Sequence, residues 1–256
     1  MLQAHSLLWH YLWVAPNIFL LVLAAVLWRR GAARQLPAFF AYLILGGIGQ
    51  LLLYAADMVR FVSGNAYWII DYVDLALEAA LKLLLIGEIF ALVFGAYASL
   101  AQLGKALLRG VGAVLLLAGV LAAAYAPQSD SVAIVYRANL LEQTTYIVEC
   151  GVLVTIFLFA AYFHLEWPRK VFGIALGLSF SACVHLATWA MIDNGGLSHS
   201  TRVLLVFVNM AAFHVCVLLW FYYLLVPAKV TAKAAAPLPE NTLDLWNREL
   251  ERLVHL

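Results

Sequence analysis

Asp71, Asp74, Glu78 and Lys82 follow one another at spacings of three, four and four, so at about 100° per helical residue they share one narrow face. Carboxylates and an amine aligned in this way can hold a cation, relay protons or neutralise one another. Glu78 and Lys82, i to i+4 with the acid first, suit an ion pair within the helix. Glu142, Tyr146 and Glu149 form a second such face. Further polar faces are Gln50, Tyr54 and Asp57; Ser181, His185 and Thr188; and His10, Trp13 and Asn17, with Asn209 and His214 in the last apolar stretch. Asp71, Asp74, Glu78, Glu142 and Glu149 outnumber the one lysine among them. Some of these carboxylates must therefore be protonated, hydrated or paired with something external. A cationic or amine-bearing ligand, or a proton, fits that excess of acid.

The elements that carry these faces are apolar. Of 256 residues, 66% are hydrophobic and only 11% charged, too little polar surface to cover a water-soluble globule of this size. The mean hydropathy of +0.94 points to a bilayer as the solvent. Seven continuous apolar stretches are long enough to cross it: Leu8–Leu27, Leu36–Val59, Tyr67–Ser99, Ala106–Ala126, Ala138–Leu165, Arg169–Ile192 and Thr201–Val226. None alternates with period two, so a transmembrane barrel is not expected. The expected fold is all-α, a polytopic bundle of seven transmembrane helices over residues 1–226. A small-residue linker over 227–239 and an amphipathic helix over 240–256, lying on the cytoplasmic surface, should follow it. The start, MLQAHSLLWHYLW, has no basic region or small-residue cleavage site, and the first span is expected to be retained.

Lysine and arginine set the expected orientation. Arg29, Arg30, Arg34, Lys105, Arg109, Arg169, Lys170, Lys229 and Lys233 fall at one set of span ends, against Arg60, Arg137 and Arg202 at the other. The basic side is expected in the cytoplasm, with the N-terminus outside and the C-terminus inside, in a multi-pass protein of the cell inner membrane. In that frame almost every intramembrane polar residue lies in the outer half or at the midplane, and only Glu88 breaks the apolar background below it. The fourth span carries no ionisable residue after Arg109 and is expected to be peripheral. The remaining six should turn their polar faces inward around a hydrated cavity that opens outward. Trp9, Trp13, Trp68, Trp167 and Trp189, near span ends, suit interface anchors.

Other chemistries are weaker. His185 and His214 sit at similar expected depth on consecutive spans and could hold a b-type haem, yet two isolated histidines in a bundle are more often packing residues. No HExxH or paired HxxxH pattern supports a zinc hydrolase around His10, His185 and His214. A rhomboid-like GxSG element is missing, the serine and clustered histidines of ceramidase-like hydrolases are missing, and the last span has no lysine for a retinal Schiff base. Cys150, Cys183 and Cys216 fall mid-span, where free thiols act as small apolar groups. No catalytic residue, metal or cofactor is called for, and nothing in the charge balance suggests nucleic acid.

The chain resembles a group of uncharacterised bacterial seven-helix membrane proteins, through LLWHYLWVAPN in the first span and RQLPAFFAYLI at the start of the second. In layout it is distantly similar to the seven-helix sensory modules that precede histidine kinases. That resemblance implies sensing, here through a separate cytoplasmic or membrane signalling partner because no output domain follows the last span. The expected function is a non-enzymatic, receptor-like or accessory membrane protein that binds a small ligand, cation or lipid in an outward-facing acidic pocket. Its contacts would be Asp74, Glu78, Lys82, Glu142, Tyr146, Glu149, His185 and His214. The alternatives are a proton-coupled transporter that uses the carboxylates as a relay, favoured by Glu88, and a haem or metal oxidoreductase.

Overall fold

A computed structural model describes residues 6–59, 63–95, 130–162, 167–193 and 198–227, with a few single positions between them. Six long helices carry the described chain: α1 (Leu7–Arg29), α2 (Pro37–Met58), α3 (Gly64–Phe94), α4 (Asp130–Tyr162), α5 (Arg169–Asp193) and α6 (His199–Leu225). Helix is the form dictated by apolar sequence in lipid, because every backbone N–H and C=O is satisfied within the segment. Five of the six, all but α3, are long and apolar enough to cross a membrane. Asp71, Asp74, Glu78, Lys82 and Glu88 keep α3 out of that class, although its 31 residues exceed the needed length. The chain is thus a helical, multi-pass membrane protein. The expected fourth span and the C-terminal segments over 227–239 and 240–256 lie outside the described residues, apart from Pro227 and five single positions between 106 and 117.

Local chemistry sets the helix ends. Ser6, Ser63 and Ser198 each accept a backbone N–H three residues on, from Trp9, Ala66 and Thr201, as N-caps do. Between α1 and α2 the chain reverses through Gly31, whose φ of +68° is the left-handed conformation that a residue with a Cβ adopts only at a cost. A short turn over Ala32–Arg34 follows, and Pro37 then opens α2 where its missing N–H leaves nothing unsatisfied. α4 begins at Asp130, eight residues before the expected Ala138; its apolar span runs over Asn139–Tyr162.

Glu88 answers the start of α2 from α3. Leu36 offers no side-chain cap, and the two Glu88 carboxylate oxygens instead accept the N–H groups of Ala38 at 3.1 Å and Phe39 at 3.0 Å. This carboxylate thus satisfies two orphan donors of a neighbouring helix. Glu88→Ala should lower stability by about 1–2 kcal/mol, the range for losing an N-cap, with Glu88→Gln less damaging because one acceptor oxygen survives. Thermal unfolding of the purified variants reads this directly; equal losses for both would point to the charge, not the hydrogen bonds.

The helices close into a ring. Each packs on the next from α1 to α6, α6 returns to α1, and α3 also touches α5. In one half of the ring the interior is dry, filled by Leu23, Phe39, Leu43, Leu85, Ile86, Leu153, Ile174 and Trp220, all 1% exposed or less. Lipid tails give such helices little hydrophobic drive, so close approach of backbones takes over. Gly173 and Gly177 on α5 provide it: a Cβ at either would collide with Tyr223 or Trp220 of α6. Outward, Leu52, Val73, Leu84, Leu158, Leu204 and Leu218 present exposed apolar side chains where acyl chains would lie.

Candidate functional site

At the opposite end of the ring the interior opens into a cavity of about 440 Å³ to which all six helices contribute. It is formed by the halves of the helices that carry the polar faces: the starts of α1, α3 and α6, the first part of the α4 span and the ends of α2 and α5. Tyr42 and Leu20 lie at the junction with the dry core, where Trp220 meets Tyr42 edge-on at 6.0 Å.

α3 contributes most of the charge. Asp71, Asp74 and Glu78, one helical turn apart from each other, all line the cavity. Asp74 accepts a hydrogen bond from Gln50 Nε2 at 2.8 Å and rests against Gly49 of α2, where any Cβ would strike its carboxylate. Asp71 has no hydrogen bond or ion pair among the described residues. Lys82 sits below, 5% exposed, with Nζ 3.0 Å from Glu78, 3.1 Å from Glu149 of α4 and 4.2 Å from the centre of the Tyr146 ring. The expected Glu78–Lys82 pair is therefore one arm of a three-residue cluster that ties α3 to α4. Glu149 is 2% exposed and belongs to this cluster, not to the cavity lining.

α4 and α5 complete the wall. His185 Nε2 lies 2.9 Å from Glu142 Oε1, and its ring stacks on Tyr146 with centroids 4.0 Å apart. Glu142, His185 and Tyr146 all line the cavity. Glu78 and Glu142 keep 22% and 26% of their side-chain surface accessible, so neither carboxylate is sealed into a dry contact. Thr188, behind them, donates to Asn209 of α6 at 2.7 Å.

Five of the residues expected from sequence, Asp74, Glu78, Glu142, Tyr146 and His185, thus meet at one cavity, and Lys82 and Glu149 lie directly beneath it. His214 does not join them. Its ring packs beside Phe19 and Tyr11 at the seam of α1 and α6, 5.7 and 5.6 Å away, and is absent from the cavity wall. Similar depth on consecutive helices did not bring His185 and His214 together, because the two face different neighbours. Among the described residues no cluster of three or more metal-ligating side chains forms.

Several wall residues were not among the expected contacts. Asp71, Asn17 and Gln50 carry helical-face signals in the sequence, and all three line the cavity. Trp9, Trp13 and Trp68, which suit interface anchors by position, line the cavity with Tyr67 and Phe213. Trp167 instead stacks on Phe157 at 5.0 Å in the other half. Asn17 is 3% exposed, and its side-chain nitrogen donates to the Trp13 carbonyl at 2.7 Å. Its Oδ1 is buried without a partner.

Fold and cavity together define a helical multi-pass membrane protein with an acidic, aromatic-walled pocket inside its ring. Compared with known proteins, the chain matches no family model, no curated protein and no solved structure.

Proposed function

We propose that this chain is a seven-span inner-membrane protein, N-terminus outside and C-terminus in the cytoplasm, that binds a small ligand in the acidic cavity and signals through a separate partner. One observation carries the reading: unneutralised acid collects in a single cavity at one end of the ring. Asp71, Asp74, Glu78 and Glu142 line it, and among the described residues the cations near them are Lys82, already shared by Glu78 and Glu149, and His185, already engaged by Glu142. A purely structural set of intramembrane polar groups pairs each member with another. Among the described residues Asp71 has no such pair, so its charge calls for water, a proton or a bound cation.

The orientation draws support from the opposite end, where Arg30, Arg169 and Lys170 border a second, smaller hollow. Basic residues concentrate on the cytoplasmic side of membrane proteins, which turns the acidic cavity outward. The 106–126 stretch supplies the seventh span. The amphipathic 240–256 segment offers an apolar face on the inner leaflet through which a partner could be engaged. A proton-relay carrier loses its best support, because Glu88, the one acid deep enough to continue a relay, is engaged as the cap of α2.

Quenching of tryptophan fluorescence tests the cavity in right-side-out vesicles. Trp9, Trp13 and Trp68 line it, so externally added caesium should quench more strongly than iodide, because the acidic wall concentrates cations and repels anions. Asp71→Asn combined with Glu142→Gln should remove the preference. Equal quenching of the native chain by the two ions would contradict an outward-facing acidic site.

A further inference from the structure

The bundle already holds one ammonium group, and how it does so is a template. Lys82 Nζ lies between the carboxylates of Glu78 and Glu149 and over the face of Tyr146. That combination of two acids and an aromatic ring is how a desolvated ammonium is stabilised in general. Higher on the same face of α3 the same residue types gather: Asp71 and Asp74 border the cavity, with Tyr67, Trp68 and Trp13 among its walls. The cavity is wide, about 440 Å³.

Asn17 is an independent pointer to what fills it. The Trp13 carbonyl can only accept, so the Asn17 amide must turn its nitrogen toward it. Oδ1 is thereby committed to the other side, buried and unpartnered, on a residue that borders the cavity. A buried acceptor left unmade is costly, and the matching ligand is one that brings an N–H or O–H to it. Asp71 and the second Asp74 oxygen are likewise acceptors.

We propose that the ligand is a compact primary or secondary ammonium compound with an aromatic or branched apolar body, an inference that rests on the binding reading above. The ammonium is held by Asp71 and Asp74, a donor hydrogen of the ligand reaches Asn17 Oδ1, and the apolar body lies against Trp9, Trp13 and Phe213. A quaternary ammonium supplies the charge without an N–H donor. A bare inorganic cation leaves the aromatic wall unused, and an anion meets acid on every approach.

Four ring-matched probes separate these cases: benzylammonium, benzyltrimethylammonium, benzyl alcohol and benzoate, titrated against the full chain in nanodiscs with thermal stability as the readout. Benzylammonium should give a saturable shift at least about tenfold lower in concentration than the other three, a gap equivalent to about 1.4 kcal/mol. Asp71→Asn removes a charge that has no partner to lose among the described residues, and it should weaken benzylammonium by about tenfold or more. Asn17→Ala should narrow the preference for benzylammonium over benzyltrimethylammonium. Equal or tighter binding of benzyltrimethylammonium, or saturable binding of the alcohol or benzoate alone, overturns the assignment. If no probe binds while the Asp71-dependent caesium preference persists, the ammonium assignment falls and the acidic cavity stands. If that preference is lost too, both fall.

Discussion

Replacing Lys82 by methionine should destabilise the bundle by about 3–5 kcal/mol, the usual cost of leaving buried charge without its counterpart. Methionine fills a similar volume, so the loss comes from electrostatics and not from a cavity. Glu149, 2% exposed, would remain beside Glu78 with no cation between them. The physical content lies in the rescue: Glu78→Gln and Glu149→Gln added to Lys82→Met should restore most of the stability, because the remaining groups are neutral and the ring is no longer asked to bury like charges. The cycle of single and combined variants, followed by thermal or denaturant unfolding in one detergent, measures the coupling. A Lys82→Met protein as stable as the native chain would mean that water reaches the cluster freely and that the floor of the cavity is not closed there.

Trp220→Ala should cost about 3–5 kcal/mol, the range for truncating a large aromatic side chain in a packed core. Trp220 is fully buried, its ring meets Phe39 of α2 edge-on at 5.2 Å, and Nε1 donates to the Ile174 carbonyl of α5 at 3.2 Å. The side chain rests on Gly177, whose missing Cβ makes the space for it. Gly177→Val should therefore be as damaging as the truncation, by pushing α5 and α6 apart instead of hollowing the space between them. Because Trp220 also supports Tyr42 beneath the cavity, the same substitution should let water penetrate from the cavity toward the core. Hydrogen exchange along α2 and α6 would report it as lost protection. Native-like protection in Trp220→Ala would place the closure of the cavity elsewhere.

Much of this was legible in residue order. Six of the expected spans fall on helices within a few residues of their ends, save the early start of α4, and five of those helices are long and apolar enough to cross a membrane, since lipid leaves helix as the only form for such segments. Helical periodicity also placed Asp71, Asp74 and Glu78 on one face, and Glu142 with Tyr146 on another, where both sets now border one cavity. The i to i+4 rule paired Glu78 with Lys82. Contacts between helices were another matter. Periodicity fixes angles within one helix but not the rotation or depth of its neighbour, so Lys82 with Glu149, Gln50 with Asp74 and Glu88 with the start of α2 could not be read in advance. His214 shows the same limit: its expected depth matched His185, yet the rotation of α6 turns it toward Phe19 and Tyr11. The tryptophans near span ends fit two roles, and position along the chain does not distinguish a ring in the lipid interface from one lining an interior wall.

Accessibility of a single thiol in the cavity wall decides the central question, whether water meets the acidic face of α3 from outside. With Cys150, Cys183 and Cys216 replaced by alanine, Leu75→Cys places a thiol in the cavity and Leu85→Cys places one in the dry core. Membrane-impermeant thiosulfonate reagents of either charge, applied to right-side-out vesicles, should modify position 75, the cationic reagent faster than the anionic, and leave position 85 untouched. Failure to modify position 75, or modification only from the cytoplasmic face, would contradict an outward-opening acidic cavity and the ligand site built on it.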